Sequence, residues 1–150
     1  ALLHDVGKLV YLKFFPDHFM ALQEHTLKNG CLFSTAEAEL DLPKSAYLGT
    51  LLCDHWSLTL IVRDSCESHT LEMLYEFVQN TSEPQVTVLI AICNLLSSYS
   101  IAALDNAIQE EIASATMRIL NYDETKLAGL MAAVEALKED AEKFMHQVTQ

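Results

Sequence analysis

The sequence predicts an all-α fold, a bundle of many helices. Three observations carry that reading. Apolar residues recur at helical spacing along nearly the whole chain. Gly and Pro together number only 7 among 150 residues, too few to punctuate many hairpins. Strand-like alternation is weak throughout, and no Asn-Gly or Asp-Gly turn separates alternating apolar runs.

The elements follow in order. Leu2, Leu3, Val6, Leu9, Val10 and Phe14 suit one face of a helix over 2–14. Pro16 opens a second helix, and Asn29-Gly30 closes it. Ser34 with Glu37 has the spacing of a capping box. Pro43 fits the first turn of a helix that runs to Trp56, and Ser57 offers a cap for the next, which runs to His69. Ser82 with Gln85 forms a second box spacing, with Pro84 tolerated in that first turn. Val86 to Leu96 reads as a nearly all-apolar, buried helix that is too short to span a bilayer. Asp105–Leu120 and Asp123–Thr149 complete the chain. In the last helix Leu127, Leu130, Val134, Leu137, Ala141, Phe144 and Val148 form a seam of period 3.5. Its simplest use is packing on its own domain. The expected core comprises Leu3, Val6, Val10, Leu48, Leu52, Trp56, Val62, Val88, Ile92 and Leu96.

Composition narrows the function classes. Apolar residues make up 51% and charged residues 20%, which excludes a disordered chain. The 9 Lys and Arg against 21 Asp and Glu give a net charge of −12, a poor basis for holding a nucleic-acid backbone. Residues 1–104 carry 12 acids and 5 bases and residues 105–150 carry 9 and 4, so neither an acidic tail nor a basic arm stands out. Four cysteines (Cys31, Cys53, Cys66 and Cys93) lie in apolar surroundings without a CxxC pair. They read as reduced, buried thiols, and the expected compartment is the cytoplasm. Cys66 and His69 are at i and i+3, but the neighbouring acids argue for an inert thiol. His18, His25, His55 and His146 have no partner at a recurring ligand spacing and read as surface or interface residues.

One string carries chemistry, Leu2-Leu3-His4-Asp5-Val6-Gly7-Lys8-Leu9-Val10. Adjacent His and Asp can both reach a divalent metal. Gly7 allows close approach of a backbone or ligand, and Lys8 can meet a phosphate as a point charge. The chain starts in mid-pattern at Ala1-Leu2-Leu3, so residues upstream of it are expected.

This string resembles the HD superfamily of metal-dependent phosphohydrolases. More closely, the chain is similar to the second half of an HDOD domain, a relative used in bacterial signalling. Phe14-Phe15-Pro16 and the following helix, the acidic pair Glu37 and Glu39, and Gly49, Leu52, Trp56 and Leu58 fit the same pattern. So do His69, the apolar Ile90–Leu96 segment and the charged Asp123–Phe144 segment. The resemblance implies that residues 1–104 are the C-terminal half of an HDOD domain, with residues 105–150 as terminal helices packed on it. It also implies that His4 and Asp5 lie within reach of Asn94 and of His69.

The departures carry equal weight. Ser45 stands where the HD enzymes have a second metal histidine, a His-His pair is reduced to His69, and the final metal Asp is Asn94. His4, Asp5 and Lys8 are then a remnant motif, and His69, Asn94 and Ser45 line a vestigial pocket. So weakened a ligand set holds a hard divalent cation poorly, and without one no group activates water. The resulting expectation is a catalytically silent signal-transduction module that binds a partner protein or small ligand and carries no cofactor. The alternative is a metal-dependent phosphohydrolase or phosphodiesterase acting on a nucleotide or cyclic dinucleotide, with Mn, Fe or Mg held by His4 and Asp5. The expected partner is a protein or signalling domain in the same or another chain, and the terminal helices offer a homodimer seam. Neither nucleic acid nor a membrane is expected as a partner.

Overall fold

A computed structural model describes residues 3–76 and 81–148. Among them lie nine helices: α1 (Val6–Phe14), α2 (Pro16–Asn29), α3 (Phe33–Glu39), α4 (Ser45–His55), α5 (Leu60–Glu67), α6 (Leu71–Glu76), α7 (Pro84–Ile101), α8 (Asn106–Leu120) and α9 (Glu124–Val148). No strand interrupts them, so the fold is an all-α bundle of many helices.

Helix α1 lies along α4, and their contact is the most extensive between any two elements. The reason is Gly7. A Cβ there would stand 1.8 Å from the Ser45 carbonyl oxygen and 2.8 Å from the Gly49 nitrogen. The two backbones therefore touch, and only glycine fits. The buried face of α1 is accordingly Val6, Gly7 and Tyr11, while Leu9 and Phe14 of the expected apolar face are exposed. Leu2 lies outside the described residues, and the backbone over 3–5 is a turn rather than helix.

Three apolar clusters hold the molecule. Val6, Cys53 and Cys66 join α1, α4 and α5. Tyr11, Leu22, Cys31 and Ala36 join α1, α2 and α3. The largest is built on Ala91, Ile92, Leu95 and Leu96 of α7 with Ile112 and Ala115 of α8, and takes in Leu32, Leu71, Leu74 and Leu104. Leu130, Met131 and Val134 of α9 cover it. Gly30, at φ 61°, closes α2, and its carbonyl accepts from Asp105 N at 2.7 Å, tying the α2–α3 turn to the start of α8.

Several boundaries differ from expectation. The Ser34–Glu37 pair is not a capping box. Ser34 Oγ donates to Glu72, and Glu37 accepts from the Ser45 backbone instead. Ser82 does not cap α7 with Gln85, because its nitrogen and hydroxyl both bond Asp64 Oδ2. Ser57 caps no helix. It sits at φ 53° just beyond α4, and α5 starts only at Leu60. Trp56 is 53% exposed rather than core, because it ends α4 where the chain turns away. Leu3 is also exposed, and Val10, Leu48, Leu52, Val62 and Val88 are half-buried. Helix α7 is longer than expected, 18 residues, and by length and composition alone is apolar enough to cross a membrane. It packs against α5, α6, α8 and α9, with one face in the main core. The last helix keeps only part of its seam. Leu130 and Val134 pack inward, while Leu137 and Phe144 are exposed. Thr149 lies outside the described residues.

Candidate functional site

Four pieces of chain converge beside the start of α1. His4 and Asp5 occupy the turn before it, and Lys8 is in its first turn. Ser45 begins α4. His69 lies in the link between α5 and α6, and Asn94 is in the middle of α7.

Asp5 is the hub. Its Oδ1 lies 2.8 Å from Lys8 Nζ and 3.2 Å from His69 Nε2, and Oδ2 lies 3.6 Å from His4 Nε2. Oδ1 is shut off from solvent, and its two close nitrogens sit off the line of a well-formed hydrogen bond. Burial alone would raise the Asp5 pKa. The His69 contact and the Lys8 charge outweigh it and hold the carboxyl well below the usual carboxylate range. His69, 3% exposed, is fixed at its other nitrogen by the Cys66 carbonyl at 2.7 Å, which aims Nε2 at Asp5. Asn94 joins the remaining parts. Its Oδ1 is 3.2 Å from His4 Nε2, and its Nδ2 donates to the His69 carbonyl at 3.2 Å. The His4 and His69 rings meet edge to face at 5.2 Å. So His4, Asp5, Lys8, His69 and Asn94 form one connected group.

Ser45 plays another part. Its backbone nitrogen donates to Glu37 Oε1 at 2.8 Å, and its carbonyl lies against Gly7. Glu37, which fits the family pattern only as one of an acidic pair, is 1% exposed. Burial raises its pKa, and the Ser45 amide, Lys8 and His69 oppose that rise. No local pattern announces a buried carboxylate; only the folding of α3 against α4 creates it. Tyr11 hydroxyl donates to the Pro43 carbonyl and holds the loop that leads into α4.

The cysteines contribute no nucleophile here. Cys66 donates to the Leu3 carbonyl at 3.2 Å and lies 3.5 Å from Cys53 Sγ, and His69 engages its carbonyl rather than its sulfur. Burial and the Cys53 contact push the Cys66 thiol up to about 12, so it stays protonated. Cys93, expected to be buried, is exposed on α7.

The donor set does not fit a divalent metal. A cation at Asp5 Oδ1 would meet the Lys8 ammonium already 2.8 Å away. The His4 ring nitrogen is engaged by a neutral amide oxygen, and Ser45 supplies no imidazole. His4, Asp5 and His69 do not bring three ligand atoms into mutual range. Among the described residues the three-donor group within 4.8 Å is made by His25, Cys31 and Glu39. The cleft bordered by Lys8, Ser45, His69 and Asn94 has a volume of about 40 Å³. That admits a few waters, at roughly 10–15 Å³ each. A pocket for a drug-sized ligand is roughly 300 Å³ or more.

No curated protein and no solved structure matches this chain. The model of the HDOD domain family matches residues 1–71. His4, Asp5, Lys8, Glu37, Ser45 and His69 all fall inside the matched stretch, and Asn94 reaches in from beyond it. Residues 1–71 are therefore recognised as similar to the HDOD domain, a signalling-related HD-like domain.

Proposed function

We propose that this HDOD-like domain is a catalytically silent signalling module, which acts by binding a partner protein or small ligand and turns over no phosphoester. One observation carries the reading. The carboxylate at the heart of the motif is ion-paired with the chain's own Lys8 and faces the His69 ring. A carboxylate held between these groups ties the start of α1 to the α5–α6 link. The small volume beside it agrees, since a nucleotide does not fit in about 40 Å³.

Thermal melts of wild type and Asp5→Ala, with and without Mn²⁺, test this. Removing a partner from a buried polar network costs about 1–3 kcal/mol through the groups left behind. Asp5→Ala is expected to lose that much stability to the same extent in the presence and absence of Mn²⁺. A wild-type melting temperature that climbs with Mn²⁺, with the climb lost in Asp5→Ala, would overturn the proposal. So would Mn²⁺-dependent hydrolysis of a nucleotide or cyclic dinucleotide by wild type that Asp5→Ala abolishes.

A further inference from the structure

The group formed by His25, Cys31 and Glu39 has no part in the motif around Asp5. His25 lies in the last turns of α2, Cys31 follows the left-handed Gly30 that closes it, and Glu39 ends α3. A ring nitrogen of His25, the Cys31 sulfur and a Glu39 carboxylate oxygen all lie within 4.8 Å of one another. His25 Nε2 is 2.5 Å from Glu39 Oε2. We propose that these three side chains are a zinc site, with solvent in the fourth position.

Three features support it. The donors are one thiol, one imidazole and one carboxylate, the set that a borderline-soft Zn²⁺ takes, whereas Mg²⁺ and Ca²⁺ require oxygen. Tetrahedral zinc, with Zn–S about 2.3 Å and Zn–N about 2.0 Å, holds such donors roughly 3–4 Å apart. The group needs only a small adjustment to reach that, with His25 and Glu39 parting slightly as the ion enters. The surroundings also suit it. Cys31 is buried in the cluster with Tyr11, Leu22 and Ala36, so the sulfur is fixed, while Glu39 is exposed and free to adjust. Binding forms a zinc–thiolate bond and releases the thiol proton to water. The ion would pin the end of α2 to the end of α3. The sequence hides the site because separations of six and eight residues match no recurring ligand pattern, and the Gly30 turn is what brings Cys31 back toward His25.

The test uses the full chain with Co²⁺ as a spectroscopic probe and Zn²⁺ as competitor. We expect one equivalent of Co²⁺ to give a near-ultraviolet sulfur-to-cobalt band and the intense visible bands of tetrahedral cobalt, both bleached by Zn²⁺. Cys31→Ser should remove the sulfur band. Glu39→Gln, at an exposed position that does not threaten folding, should weaken Co²⁺ and Zn²⁺ binding at least tenfold. Asp5→Ala should leave the spectrum unchanged, which separates this site from the motif around Asp5. Absence of a sulfur-to-cobalt band in wild type would overturn the proposal. So would a band that survives in folded Cys31→Ser, or equal affinity in Glu39→Gln.

Discussion

Helices α1 and α4 meet backbone to backbone at Gly7, whereas α7, α8 and α9 meet through Ile92, Leu95, Ile112, Leu130 and Val134. The first contact is surrounded by buried polar groups, among them Ser45, Thr50, Glu37 and His69. The second is almost entirely hydrocarbon, fastened at its rim where Lys138 donates to the Ser100 carbonyl and Ser100 donates to Glu135. A backbone contact has no side chain that can move aside. An apolar layer spreads a change over many weak contacts. The two regions should therefore answer single substitutions differently.

The largest effect is expected at Gly7. A methyl group there would stand 1.8 Å from the Ser45 carbonyl oxygen, far inside any real contact, so α1 and α4 must separate. That separation also pulls Asp5 and Lys8 away from His69. Gly7→Ala should lose more than about 4 kcal/mol in urea denaturation, or fail to fold. A loss below about 1 kcal/mol would mean that the helices are not in backbone contact.

Ile112→Ala probes the other region. Ile112 is fully buried between α8 and α7. Truncation should cost about 2–4 kcal/mol from lost burial and the cavity left behind. The residues around Asp5 should keep their mutual contacts, so the Asp5→Ala penalty should add to it within about 0.5 kcal/mol. Strong non-additivity would show that the polar site and the apolar layer act as one unit.

The contrast also explains what the sequence revealed. The limits of α2 were legible because Pro16 and Gly30 act locally, by a fixed φ and by a left-handed turn. Asp105, expected as the first residue of a helix over 105–120, stands one residue before α8, where its side chain accepts from Ala107 N. Ser34 and Glu37 had the right spacing for a capping box, but tertiary partners claimed both side chains. Trp56 matched a pattern of residue types and fell at a helix end that the pattern does not specify. Helix α6 is preceded by Thr70, whose Oγ1 accepts from Met73 N, but its six residues are too few for a helical period to show in the sequence. In the site, His4, Asp5 and Lys8 were legible as a contiguous string. Glu37 was not, because its importance lies in burial, and burial of a carboxylate follows from how α3 meets α4.

Glu37 gives the smallest expected effect. Its carboxyl is buried and accepts from the Ser45 amide at 2.8 Å. Gln at this position keeps an oxygen that can accept from the same amide and removes the buried charge. At pH 7, Glu37→Gln should stay within about 1 kcal/mol of wild type. The informative quantity is the pH dependence. Burial raises the Glu37 pKa in the folded chain above its ordinary value in the unfolded chain. In the window between those two values the folded state binds more protons than the unfolded state. The contribution of Glu37 to stability is therefore full below the ordinary glutamate range and declines as pH rises through the raised value. Gln carries no such dependence. The stability of wild type relative to Glu37→Gln should fall as pH rises from about 4 to 8, read from urea midpoints at each pH. A difference that grows with pH would mean that Lys8 and His69 together overcome the burial, and that the polar seam is held by charge at Glu37 as it is at Asp5.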